Sequence, residues 1–167
     1  MNAQVKVFKS SPVIIHVPIV RDFRAERHFV IDTSEEAEVK ISGLGQNFME
    51  YFLLNIEKGE VAAEDLVLNE LLYPYNLAEL DFDKRVEKKE LEIITLGQYF
   101  AVFAQQPDGK NGPLVTNGRA NIGNVPDFRG IPWEIWGNWV WGGWYFEASR
   151  RECIDEKLLP GRYILSH

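Results

Sequence analysis

All five tryptophans of this chain fall in one stretch, residues 131–146 (IPWEIWGNWVWGGWYF). They stand at 133, 136, 139, 141 and 144. Tyr145 and Phe146 close the run, and Glu134 is its one formal charge. An indole offers a large flat apolar body and a single N–H donor, so a run this dense must either sit in a core or form a binding face. Trp133, Trp136, Val140 and Trp144 follow helical spacing, but Gly137, Gly142 and Gly143 would each cost roughly 1 kcal/mol against Ala in a helix interior. As a strand, the run puts Trp133, Ile135, Trp139, Trp141 and Tyr145 on one face and Trp136, Val140, Trp144 and Phe146 on the other. Gly142-Gly143 then marks a bulge or sharp bend. The stretch is expected to be extended, as one strand or as two strands around a turn at Gly137-Asn138.

The period of the apolar residues organises the rest. Residues 5–8, 13–20, 28–31 and 37–41 read as strands, with Pro18 marking an edge or end and 21–27 a charged connector. From Gln46 the apolar positions become Phe48, Met49, Phe52, Leu53 and Ile56, a helical stripe over 46–58 that stops before Gly59. A second helix is expected from 62 or 63 to 72, with Glu64 and Asp65 near its positive end. Residues 81–90 have little to bury and read as a solvated connection. Residues 91–105 (LEIITLGQYFAVFAQ) are apolar on both faces of a period-two pattern, which predicts a central strand.

Five glycines, three prolines and four asparagines occupy 106–130, with turn dipeptides at Asn111-Gly112 and Asn117-Gly118. That composition reads as a long loop with one short strand at 114–116. Residues 161–165 read as a terminal strand. The expected fold is one α+β domain over 1–167. Its core is a curved, mostly antiparallel sheet or partly closed barrel, with one or two helices (about 46–72) packed on one face.

A chain of 167 residues buries roughly two thirds of its unfolded surface, and 46% hydrophobic with 26% charged residues exclude wholesale disorder. The net charge of −7, from 18 basic against 25 acidic residues, argues against nucleic acid as a partner. Cys153 is the only cysteine, so no intrachain disulfide forms. Lys6, Lys9, Pro12 and His16 interrupt the N-terminal apolar residues, and no stretch reaches the ~20 apolar residues of a membrane span. The expectation is a cytoplasmic, soluble protein.

No residue set specifies a reaction, and neither catalytic residues nor a cofactor nor a metal site is assigned. Gly43-Leu-Gly45 between a strand and a helix has the order of a dinucleotide-binding loop, but Phe48 stands at the third glycine, so the glycines are read as a turn. His28 and Asp32 lack a third ligand. Cys153 near Arg150-Arg151 lacks an evident base. Glu60 and Glu64, one helical turn apart, read as a solvated face.

The Trp run supplies the functional expectation. The leading reading is a non-enzymatic interaction protein, an oligomer, an assembly component or an inhibitor of a basic partner, acting through the Trp-rich strand and the adjoining Gly/Asn-rich loop. Its binding residues are Trp133, Trp136, Trp139, Trp141, Trp144, Tyr145, Asn117, Arg119, Asn121 and Asp127. The alternative is a small-ligand or carbohydrate-binding barrel-like domain, in which several indoles line one concavity.

Overall fold

The computed structural model describes residues 13–18, 20–54, 59–61, 64–70, 75–76, 93–150, 157–158 and 163–166. Strand β1 (Val13–Val17) ends at Pro18 and is followed by β2 (Val20–Phe23) and the single turn of helix α1 (Ala25–His28). Strand β3 (Ile41–Leu44) leads into α2 (Gln46–Phe48), which continues as a π-helical turn, Met49–Leu53. Strands β4 (Gly59–Val61), β5 (Glu64–Glu70) and β6 (Tyr75–Asn76) precede helix α3 (Leu96–Ala104). Then come β7 (Asn121–Pro126), β8 (Pro132–Val140), β9 (Gly143–Ser149), β10 (Lys157–Leu158) and β11 (Tyr163–Ser166).

The architecture is α+β. Seven strands form one open sheet in the order β1-β5-β11-β7-β8-β9-β3. Its pairings are antiparallel except β11 with β7 and β3 with β9, which are parallel. Among the described residues, strand β11 alone joins the β1-β5 pair to the rest of the sheet. Two short ladders, β2 with β4 and β6 with β10, complete the strand pairing among the described residues.

The Trp stretch is extended, as its glycines require, but its turn lies at Trp141-Gly142 and not at Gly137-Asn138. Val140 pairs with Gly143 across it, and positive φ at both central residues (53° and 79°) makes it a type I′ turn, whose twist matches that of the flanking strands. A two-residue turn also resets which residues share a face. Trp139 stands opposite Trp144 and Gly137 opposite Phe146. Trp144 and Phe146 therefore lie on the face of Trp133, Ile135 and Trp139, not on the opposite one.

That face carries the core. Phe146 packs against Phe29, Phe48, Tyr99 and Phe103 at ring separations of 5.0, 5.9, 6.1 and 4.9 Å in turn. Helix α3 lies over it with every residue from Leu96 to Phe103 buried. The sheet makes room by omitting side chains. A Cβ on Gly137 would stand 2.4 Å from Phe103 Cζ, and one on Gly123 2.5 Å from Tyr99 Cδ2. The Tyr99 hydroxyl thereby reaches the strands, donating to Asn121 O at 2.8 Å and Ile135 O at 3.3 Å.

Helix α3 replaces the central strand expected over 91–105. A capping box starts it: Thr95 Oγ1 accepts from the Gln98 backbone N–H, and the Gln98 side chain accepts from that of Thr95. Burial all round made both period-two faces look like strand. Other corrections follow the same logic. Residues 64–70 form β5, set by ladders to β1 and β11, where a second helix was expected. The helix begun at 46 is described to Leu53. Residues 25–28 are helical and 29–31 irregular, where a connector and a strand were read. The strand expected at 37–41 lies at Ile41–Leu44. Residues 106–130 are not one loop, because β7 occupies 121–126 and pairs with both β8 and β11, whereas 114–116 is irregular. The expected strand at 5–8, the connection at 81–90 and Cys153 lie outside the described residues.

The close seat of α3 makes two measurable statements. Gly137→Ala and Gly123→Ala should each cost about 1–3 kcal/mol by forcing an aromatic ring off the sheet. Thr95→Ala should cost about 1 kcal/mol by opening the cap. Urea denaturation reads all three, and a neutral Gly137→Ala would contradict the packing described.

Candidate functional site

The turn before β8 is built on one carboxylate. Asp127 Oδ1 accepts from the backbone N–H groups of Arg129 (2.8 Å) and Ile131 (3.1 Å). Its Oδ2 accepts from Arg129 Nε (3.1 Å), Arg129 Nη2 (2.7 Å) and Trp133 Nε1 (3.1 Å). Burial pushes this carboxyl up, but the hydrogen bonds from Arg129, Ile131 and Trp133 together outweigh it and hold it below the ordinary range. The indole of Trp133 is thereby fixed at the end of the sheet.

Above it lies an open cleft of about 300 Å³ lined by Asn47, Tyr51, Trp133, Ser149 and Arg150. Its geometry follows from the hairpin. Glu134 stands opposite Ser149 in the β8–β9 ladder, so the next pair places Arg150 across from Trp133. The guanidinium carbon of Arg150 lies 5.2 Å from the Trp133 ring centroid. From the helical side, Asn47 Nδ2 donates to Ala148 O at 3.1 Å, and Tyr51, in the π-helical turn, packs on Trp133 at 4.5 Å. Arg129 covers Tyr51 at 5.5 Å. Two arginines thus flank a pair of aromatic rings, and among the described residues only Arg129 has a carboxylate against it.

The remaining residues expected at a site are dispersed. Trp144 is fully buried, donating from Nε1 to Gln106 O at 3.0 Å. Trp139 is half-buried, edge-on to Trp144 and close over Gly109. Asn121 is structural: its Oδ1 accepts from Val115 N, and its Nδ2 donates to Val115 O and Gly137 O. Asn117 Oδ1 accepts from Arg119 N in the turn at 117–119, and Asn138 Nδ2 donates to Gly118 O, holding that turn beside the outer face of the hairpin. Trp136, Asn138 and Tyr145 share that outer face. Trp141, at the tip, is 85% exposed, 6.4 Å edge-on to Tyr145. Asn124 is buried on the outer face with neither side-chain polar atom hydrogen-bonded among the described residues.

The other chemical candidates resolve plainly. The Glu147 carboxylate fills the space beside Gly45, where a Cβ would meet it at 1.9 Å, which disfavours a pyrophosphate there. His28 Nδ1 lies 3.0 Å from Glu38 Oε2, its ring stacked on Phe23, while Asp32 Oδ1 accepts from Ser34 N. Among the described residues no three His, Cys, Asp or Glu come together as a metal site. Glu60 and Glu64 fall in separate strands, not one helical turn apart. Among the same residues no helix is long and apolar enough to cross a membrane.

Compared with models of protein families, with curated proteins and with solved structures, the chain matches none.

Asp127 makes stability depend on pH in a stated direction. Its folded pKa is depressed, so its contribution is present above its unfolded value of about 3.9 and is lost as pH falls through the folded one. Asp127→Asn should cost about 2 kcal/mol at pH 7, where charge-assisted bonds are lost. The gap to the native chain should narrow by pH 3, as urea unfolding at both pH values would show.

Proposed function

We propose that this chain is a non-enzymatic interaction protein, engaging a protein partner or a second copy of itself through the tip and outer face of the β8–β9 hairpin. The observation that carries the reading is Trp141. It is 85% exposed at the tip of a rigid turn and holds φ at 53°. The first central position of a type I′ turn favours Asn, Asp or Gly, and a left-handed conformation costs other residues roughly 1–2 kcal/mol. An exposed indole there works against stability twice over, and exposed Trp and Tyr are the residues that anchor interface hot spots. Tyr145 and the turn at 117–119 extend the same surface, with Asn117 and Arg119 at its border. The net charge of −7 suits a basic partner.

The competing reading, a carbohydrate- or ligand-binding barrel, draws less support. The sheet is open, and Trp133 is the one indole lining the described cleft.

Trp141→Asn separates fold from function. The substitution should raise stability by about 1 kcal/mol, because Asn-Gly is the favoured type I′ pair, and should weaken association. Sedimentation velocity over a range of concentrations, with recovery of partner on the immobilised chain, reads the second effect. Unchanged association in both assays would remove the reading. A chain of this charge should also pass a duplex-DNA column unretained near physiological salt.

A further inference from the structure

We propose that the Arg150 cleft is a binding site for a single carboxylate carried on a small flat or apolar body, separate from the hairpin tip. Eight residues along β8 separate Trp133 from Trp141, which places the two sites about 25 Å apart.

The two arginines at the cleft supply the argument. Each lies over an aromatic ring, Arg129 over Tyr51 and Arg150 over Trp133. The buried Asp127 takes up the charge of Arg129 through two hydrogen bonds. Arg150 has no carboxylate against it among the described residues; its contact is the indole face. A guanidinium over an aromatic face can still offer its fork of N–H donors to a carboxylate, which it grips with two parallel bonds. Trp133 cannot yield, because its own N–H is bound to Asp127.

The rest of the lining completes the match. The Ser149 and Tyr51 hydroxyls make no hydrogen bond to a described protein group, and Asn47 spends one amide N–H on Ala148 O, leaving its oxygen and second N–H. Donors therefore converge beside the Tyr51 ring, which offers an apolar wall to whatever bears the acid. A π-helical turn, a feature frequent at functional sites, is what presents Tyr51. Charge selects among anions. With −7 over the whole chain and one unneutralised guanidinium at the cleft, a monoanion is favoured and a polyphosphate is repelled.

Trp133 reports occupancy directly. The five indole N–H groups should give separate signals in a 15N-correlated spectrum of the full chain, and Trp133→Phe identifies its own. Titration with benzoate should move the Trp133 signal saturably, whereas benzamide, flat but uncharged, should not. Arg150→Gln should weaken benzoate by about tenfold or more, the loss expected for charge-assisted bonds, with the other four indole signals in place to show an intact fold. Arg150→Lys, which keeps the charge and loses the fork, should fall between. Trp141→Asn should leave benzoate affinity unchanged.

N-acetylphenylalanine, with the carboxylate of a peptide C-terminus, distinguishes the source. Tighter binding than benzoate assigns the site to a chain end, and weaker binding assigns it to a free small acid. The proposal is overturned by an unmoved Trp133 signal, by equal response to benzamide, by undiminished binding in Arg150→Gln, or by inorganic phosphate binding more tightly than either acid.

Discussion

The fold depends on how closely one helix approaches the sheet. Gly123 and Gly137 leave two gaps on neighbouring strands, and Tyr99 and Phe103 of α3 fill them. The contact is polar at its centre, where the Tyr99 hydroxyl donates to strand carbonyls. Full burial raises the phenol pKa well above its ordinary value, so Tyr99 serves as a neutral donor and not as an acid. From this seat the aromatic packing spreads outward: Phe103 to Trp144 at 4.7 Å, Phe103 to Phe146 at 4.9 Å, and Phe29 between α3 and α2. The helix that opens with Gln46 and the cleft at its π-helical turn are positioned by that cluster.

Sequence patterns carry this fold unevenly. The extended Trp stretch was legible because three glycines penalise a helix there, and the end of β1 was legible because Pro18 has no N–H to donate. The helical start at 46 followed from its stripe of Phe48, Phe52 and neighbours. What misled were segments whose environment is uniform. Helix α3 is buried all round, so period-two and period-3.6 readings both looked apolar, and β-branched and aromatic residues tilted the choice. The signal that would have decided it is Thr95-Leu-Gly-Gln98, a capping box at the start of the run. Strand β7 shows the opposite failure. Asn121, Gly123, Asn124 and Pro126 are poor strand formers, yet Gly123 admits Tyr99 and Asn121 ties down the chain at Val115. Tertiary demands chose those residues over local propensity.

The sites divide in the same way. Asp127 and Trp133 were visible as a polar residue and an indole near one another in sequence, and the structure joins them by a hydrogen bond. Arg150 and Tyr51 were not visible as their neighbours. The first depends on the hairpin register, which a turn at Trp141-Gly142 fixes and one at Gly137-Asn138 would have shifted. The second depends on where α2 crosses the ends of β8 and β9. Of the five tryptophans, Trp133 and Trp144 became core, Trp136 and Trp139 are half-buried, and the exposed Trp141 is the one at a position where an indole is least at ease.

Strand β11 has a consequence for synthesis. Residues 163–166 lie between β5 and β7, so among the described residues the two parts of the sheet are joined through a segment translated after the strands on either side of it. Until β11 is in place, the β1-β5 pair and the β7-β8-β9-β3 group each present an edge with unsatisfied backbone groups, open to pairing with a neighbouring chain. Insertion of β11 is the step that completes the sheet. Its long-range pairings make that last step slow relative to hairpin closure, and a chaperone that shields strand edges would act in that interval.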